Sequence, residues 1–305
     1  MKFCQIILCL FYMALFGCKS PNKKNKHDRP YSFLIVKGIK FYEVRRTFNN
    51  GLAFSKTGFQ QQPEWQIKFI AKDTVQAYNP GDNKMHNFYL HYDHGTVYNF
   101  ANEWFRIKNV SKDSLILQRL QVNSKVIIKD IRSNVYMTFY SENFIKNTLH
   151  TSVKKLQEPR KIDTLFIKKC VQKANTNIFD STYFFAARNP VIFKAKTKQI
   201  TAEKTIITLN LLSNSKSFSY LYPEYKIVIN KAYKNFSYYI KVIVDKNGKV
   251  FIYDFAATDD YRLNRKKVLQ GIIDVYFYNL LNIVPGNTLG LNHSSVVAID
   301  LVGRK

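Results

Sequence analysis

From Tyr31 to about Leu156 the chain is a succession of short apolar or alternating runs, each ended by residues that favour turns. Trp65-Gln-Ile-Lys-Phe-Ile70, Thr74 to Tyr78, Phe88 to Tyr92, Thr96 to Phe100, Trp104 to Ile107, Ser114 to Gln118 and Val135 to Tyr140 are such runs, with Asn49-Asn50-Gly51, Asn79-Pro80-Gly81-Asp82 and His94-Gly95 among the breaks. Alternation with period two places every second side chain on one face of a strand. Runs this closely spaced therefore predict an antiparallel meander that closes into a barrel or sandwich. Composition points the same way, since 20 Tyr and 24 Phe against 11 Gly and 8 Pro favour pleated, half-buried surfaces. A coiled-coil rod and a disordered tail are excluded. A length of 305 residues allows two domains, each with its own core.

Within this region, Asp73 to Gln118 runs as a strand, a turn, a short paired strand and then the strand Lys112-Asp-Ser-Leu-Ile-Leu117. That order resembles lipocalin-like domains of bacterial lipoproteins. The resemblance implies a barrel over residues 31–156, whose interior, if apolar, suits a lipid or another hydrophobic ligand.

The amino terminus sets the expected compartment. Lys2 precedes an apolar block, Phe3 to Phe16, whose only polar side chains are Gln5 and Tyr12. Its 14 residues fall short of the roughly 20 that span a bilayer, and match the apolar region of a secretory signal. Leu15-Phe16-Gly17-Cys18 then resembles a bacterial lipobox, which implies acylation of the Cys18 thiol and removal of residues 1–17. With several acyl chains the protein is expected to be anchored to a membrane without spanning it. Residues 18–30 read as a basic tether, with five cations, one carboxylate and two prolines. The tether is an extended spacer that anionic head groups can also attract. Lys19, where an inner-membrane retention signal has Asp, and the lack of the acidic cluster of surface-exported lipoproteins imply the outer membrane, facing the periplasm.

The chain carries 47 Lys+Arg against 21 Asp+Glu, a formal charge of +26, of which only Lys2 lies in the expected signal. Basic charge interleaved with aromatics suits nucleic acid in general, but an exported, tethered chain without a recognition motif is expected to bind none. Of four cysteines, Cys4 and Cys9 leave with the signal and Cys18 carries lipid, so Cys170 is the only free thiol and no intramolecular disulfide is expected. Residues 157–220, rich in Lys, Ser, Thr and Asn, read as a basic connector in which Ile162 to Ala174 forms a short helix or an edge strand. Lys168, Lys169 and Lys173 around Cys170 are expected to lower its pKa.

The last third is the most patterned. Tyr238 to Asp245 and Val250 to Phe255 flank Lys246-Asn247-Gly248-Lys249, and Asn-Gly between two such runs predicts a hairpin. Leu269, Ile272, Ile273, Tyr276, Leu280 and Val284 recur at helical spacing, predicting an amphipathic helix over 263–284 that Pro285-Gly286 stops. Ser295 to Val302 is a final alternating strand.

Ile240-Lys-Val-Ile-Val-Asp-Lys-Asn-Gly-Lys-Val250, a helix, Pro285-Gly286, Gly290 and a closing strand resemble the carboxy-terminal domain of TonB-type energy transducers over residues 221–305. The resemblance implies that Asp245 caps the turn, Gly248 supplies positive φ and Gly286 ends the helix, with no catalytic role for any of them. It also implies binding by strand addition, in which an extended peptide of an envelope protein pairs with an open sheet edge. A lipid at Cys18 replaces the inner-membrane helix of the transducers, so a passive adaptor is expected, or a fold whose edge is reused or blocked.

Catalytic constellations are sparse. His86, His91 and His94 are the only histidine cluster and the one weak candidate for a metal, so no cofactor is expected. Gly-x-Ser-x-Gly, phosphate-binding glycine loops and His-Glu-x-x-His do not occur. The sequence thus predicts an α+β protein, an amino-terminal barrel or sandwich followed by a ββαβ domain. It is expected to be a non-catalytic, lipid-anchored binding or adaptor protein of the envelope. The alternatives are a hydrophobic-ligand carrier and an envelope enzyme dependent on a metal or on Cys170.

Overall fold

The computed structural model describes residues 29–79, 81–130, 132–205 and 217–305. Cys18 and the tether up to residue 28 lie outside the described residues.

Ten antiparallel strands form the first sheet: β1 (Lys40–Phe48), β2 (Gln66–Ala71), β3 (Thr74–Asn79), β4 (Lys84–Tyr89), β5 (His91–His94), β6 (Val97–Phe100), β7 (Glu103–Val110), β8 (Ser114–Asn123), β9 (Val126–Ile128) and β10 (Val135–Ser141). Their order is β4-β3-β2-β1-β10-β8-β7-β6-β5, with β9 on β8. The two ends of that order are neighbours in sequence, separated only by the fully buried Leu90. One bent strand therefore serves both ends, and the sheet becomes a nearly closed barrel, which leaves little free edge. Strict alternation supports it: along β10, Val135, Met137, Phe139 and Ser141 point inward and the residues between them are half-exposed.

Phe41, Phe69, Tyr98, Phe105 and Phe139 fill the interior. A single 3-10 turn, Phe33–Val36, closes one end by stacking Phe33 on Phe69 at 4.5 Å and setting its edge against Tyr98 at 5.2 Å. Burying each such ring contributes roughly 1.5–3 kcal/mol. The inward face also holds a carboxylate. Glu43, beside a bulge in β1, is fully buried and accepts hydrogen bonds from Arg46 Nε and Nη2 (2.7 and 2.6 Å) and from the backbone N–H groups of Glu64 and Trp65 (2.9 and 3.0 Å). Four donors and one paired cation offset the cost of burying that charge.

Next come β11 (Ile192–Ala195), β12 (Ile200–Lys204), β13 (Glu224–Asn230), β14 (Phe236–Val244), β15 (Val250–Phe255), β16 (Leu281–Val284), β17 (Asn287–Thr288), β18 (Leu291–Asn292) and β19 (Ser295–Arg304). The second sheet has the order β12-β13-β19-β14-β15, and only its β13–β19 pair is parallel. The helices are α1 (Val153–Gln157), α2 (Lys161–Thr176), α3 (Phe218–Leu221) and α4 (Asp259–Ile272). From α4 the chain continues through a π-helical turn, Ile273–Phe277, and a last turn, Tyr278–Leu280. Leu269, Ile272, Ile273 and Phe277 pack in one core with Ile240, Val242, Ile252, Val297 and Ile299 of the sheet. The fold is thus α+β with an amino-terminal barrel.

The helix expected to reach Val284 stops at Leu280, and Pro285-Gly286 does not end it. Leu281 to Val284 are instead β16, paired with β11 from Leu281 opposite Ala195 to Val284 opposite Ile192. Their apolar residues satisfy helical and strand spacing alike, and a partner distant in sequence decides between the two. The stretch read as a connector contains the 16-residue helix α2 and two paired strands.

Barrel and second sheet meet through α2. Ala53 and Phe54 of the barrel pack with Ile167, Ala174 and Phe185. Buried Asp163 accepts the N–H of Ala53 at 2.8 Å and that of Arg160 at 3.1 Å, so one carboxylate caps α2 and ties its start to the barrel. Ala186 donates its N–H to the carbonyl of Thr57 at 3.0 Å. Arg188 lies over the Tyr220 ring at 4.5 Å and donates to Gln60 Oε1 at 2.9 Å.

Candidate functional site

A sheet accepts an extended peptide only where an edge strand turns free backbone groups outward. The second sheet ends in β15 on one side and β12 on the other. In β15 the pairing with β14 aims the N–H and C=O of Val250 and Ile252 away from the sheet. Side chains of the helix on the core face meet them. Gln270 Oε1 accepts the N–H of Ile252 at 3.2 Å, and Gln270 Nε2 donates to the carbonyl of Val250 at 3.2 Å. Tyr278 Oη accepts the N–H of Val250 at 2.9 Å and donates to the same residue's carbonyl at 3.3 Å. A carboxamide offers one donor and one acceptor side by side, as the next strand's backbone does. The β15 edge is occupied by its own molecule.

The β12 edge differs. Thr205 donates its N–H to the carbonyl of Glu224 and Asn230 donates to that of Gln199, which fixes the register so that odd-numbered residues of β12 bond to β13. Ile200, Ala202 and Lys204 therefore turn their backbone groups outward, and among the described residues no strand lies beyond them. Thr201 and Glu203, on the face away from buried Ile200, are exposed.

The hairpin residues lie at the far end of this sheet. Asp245 Oδ1 accepts the N–H of Asn247 and of Lys249, both at 2.8 Å, and Gly248 has φ +85°. Asn247 is not left-handed, so the loop is an ordinary turn followed by a left-handed glycine, one residue longer than Asn-Gly alone predicts. Gly286 has no left-handed φ. A Cβ there would sit 2.7 Å from Ala187 Cβ and 2.9 Å from Ser295 Oγ, so its glycine serves a close approach after half-buried Pro285. Gly290 (φ +77°) and Leu289 (φ +53°) form the two-residue turn between β17 and β18.

The histidine cluster does not converge. His86 on β4 pairs with Asp82 Oδ2 at 2.6 Å, His91 lies beside the Tyr89 ring, and His94 pairs with its neighbour Asp93. Among the described residues no three His, Cys, Asp or Glu side chains come together as a metal site. Cys170 is half-buried against the joint between barrel and sheet. Burial pushes its thiol pKa up and outweighs Lys173 and Lys169, which reverses the expected direction.

A fourth histidine is buried where the sequence shows only a turn-like tripeptide. His293 is fully buried, its Nδ1–H donates to the carbonyl of Ser294 at 3.1 Å, and its Nε2 accepts from Thr288 Oγ1 at 3.1 Å. Arg188 N–H donates to the same threonine oxygen at 3.1 Å, leaving that hydroxyl's proton for the ring and so fixing the tautomer. Burial pushes the His293 pKa down to about 4. Nothing in its sequence neighbourhood distinguishes it from a turn histidine.

No protein-family model matches the chain, and no curated protein matches it.

Proposed function

We propose that this chain is a non-catalytic adaptor of the bacterial envelope, held by lipid at Cys18 and facing the periplasm from the outer membrane, that binds an extended peptide of another envelope protein along β12. The observation that carries the reading is the contrast between the two edges of the second sheet. β15 has its outward groups met by Gln270 and Tyr278, whereas β12 turns those of Ile200, Ala202 and Lys204 outward. Main-chain pairing supplies affinity in this mode, and the exposed Thr201 and Glu203 would contact alternate side chains of the peptide. The lipocalin-like barrel and the TonB-like domain belong to the same proposal, as the scaffold that presents this edge. The barrel interior is occupied by Phe41, Phe69, Tyr98, Phe105 and Phe139, which favours a presenting role over that of a carrier.

Proline distinguishes the two sides of an edge strand. At Ala202 it would remove only an outward N–H, while the bonds to β13 persist. With a photo-crosslinking residue at Thr201 in the full chain in native membranes, protein adducts are expected, and Ala202→Pro should abolish them. The same probe at Phe251 should give none. Adducts unchanged by Ala202→Pro would overturn the reading.

A further inference from the structure

The tether from Cys18 joins the folded chain at one rim of the barrel. The described residues begin at Arg29, which donates to the carbonyl of Lys72 at 3.4 Å and pairs with Asp73, both in the turn between β2 and β3. At no more than roughly 3.6 Å per residue, residues 18–28 reach about 40 Å. Leu90 donates its N–H to the carbonyl of Asp73 at 2.9 Å, which sets Tyr89 beside the same turn. The 3-10 turn Phe33–Val36 lies there too, since Gly38, just after it, donates its N–H to the carbonyl of Phe69 at 2.8 Å near the end of β2.

That turn divides its four apolar residues into two pairs. With about three residues per turn, the first and the fourth share a side. Phe33 and Val36 are buried in the barrel core, whereas Leu34 (53% exposed) and Ile35 (55% exposed) take no part in it. Closing the barrel requires only the buried pair. Tyr89 is a third large exposed side chain (64%) on this rim, and Lys37 and Lys72 are exposed cations beside them.

We propose, on the reading that Cys18 is acylated, that this rim rests on the membrane holding that lipid, with Leu34 and Ile35 inserted at the head groups of an anionic bilayer. Aliphatic tips beside cations and a tyrosine match the boundary between acyl chains and anionic phosphates. Two aliphatic side chains would recruit a free protein only weakly. A tether fastened to the same rim raises their effective concentration at the bilayer, so weak insertion suffices. A soluble peptide or a second copy of the chain would gain nothing from where the tether enters. The contact fixes which end of the barrel faces the lipid.

The test uses the full acylated chain, with Cys170→Ser, inserted into preformed vesicles of phosphatidylethanolamine and phosphatidylglycerol with or without bromine on the acyl chains. One sample carries an environment-sensitive dye on Ser32→Cys, since Ser32 is exposed and its side chain makes no cap hydrogen bond. The control carries it on Val126→Cys, because Val126 (64% exposed) follows the far end of β8, whose start adjoins Asp113 and the end of β10. Brominated lipid is expected to quench the dye at position 32 at least threefold more than at 126. Leu34→Ser with Ile35→Ser should remove that excess while flotation with vesicles and melting stay unchanged. Equal quenching at the two positions, or an excess that survives the double substitution, in chains that still float would overturn this contact and leave the anchor standing. A chain that does not float would overturn both.

Discussion

The imidazole of His293 lies flat on the ring of Phe185, with 3.9 Å between centroids and 12° between planes. Phe185 belongs to the cluster that joins α2 to the barrel, and His293 precedes β19, so the stack couples the joint to the second sheet. Around it, Ser294 donates its N–H to Asn175 Oδ1 at 2.9 Å and Asn175 Nδ2 donates to the carbonyl of Asn292 at 3.1 Å. A neutral ring suits this site because no carboxylate bonds to either of its nitrogens.

Acid should therefore loosen the joint. The folded pKa of His293, about 4, lies below the roughly 6.5 of an exposed histidine. Between these values the unfolded chain takes up a proton that the folded chain refuses, so stability falls as pH falls. The contribution is constant above about pH 6.5 and decreases toward pH 4, where the loss is about 3 kcal/mol. Melting curves from pH 7 to pH 4 should show a steeper decline for the wild type than for His293→Gln. Equal declines would refute the assignment.

Close backbone crossing at the joint gives a second expectation. Gly51 and Gly58 both have left-handed φ, +77° and +90°, but a Cβ on Gly51 meets nothing within 4 Å whereas one on Gly58 would lie 2.4 Å from the carbonyl oxygen of Ala186. Gly51→Ala should cost about 1 kcal/mol from backbone conformation alone. Gly58→Ala must also push Ala186 away and break its bond to Thr57. Urea denaturation should show a loss at least twice as large for Gly58→Ala, and similar losses would mean that the two segments part easily.

Gln270 provides a third. Gln270→Ala would leave the carbonyl of Val250 and the N–H of Ile252 without their side-chain partner, at a cost of about 1–2 kcal/mol. It would also reopen the β15 edge to another chain. Light scattering should detect concentration-dependent association in Gln270→Ala and not in the wild type. A strictly monomeric variant would show that Tyr278 alone keeps the edge closed.

Local pattern made part of this architecture readable. Strands such as β3 and β10 alternate cleanly between a buried and a half-exposed face, so Thr74 to Tyr78 and Val135 to Tyr140 announce themselves. Non-local pairing hid the rest. Leu281 to Val284 extend a helical repeat, and only β11, some 90 residues earlier in the chain by the spacing of strand pairs, makes them a strand. Glu43 did leave a trace, because Phe41 and Glu43 share a face in an alternating run and a carboxylate on the apolar face demands a buried partner. Asp163 sits at the third position of α2, where acidic residues favour helix starts, but its bond to Ala53 depends on a segment 110 positions away. The closure of the β15 edge by Gln270 follows from helix docking, which spacing along the chain does not encode.

The position of β19 has a consequence for biosynthesis. It is the centre of the second sheet, parallel to β13 on one side and antiparallel to β14 on the other, although residues 295–304 leave the ribosome after both neighbours. Until they emerge, β12–β13 and β14–β15 are two separate antiparallel strand pairs with a gap between them, marginal on their own. The barrel can form without residues 295–304 while the second sheet must wait for them, and a nonsense mutation just before Ser295 would remove the keystone of that sheet.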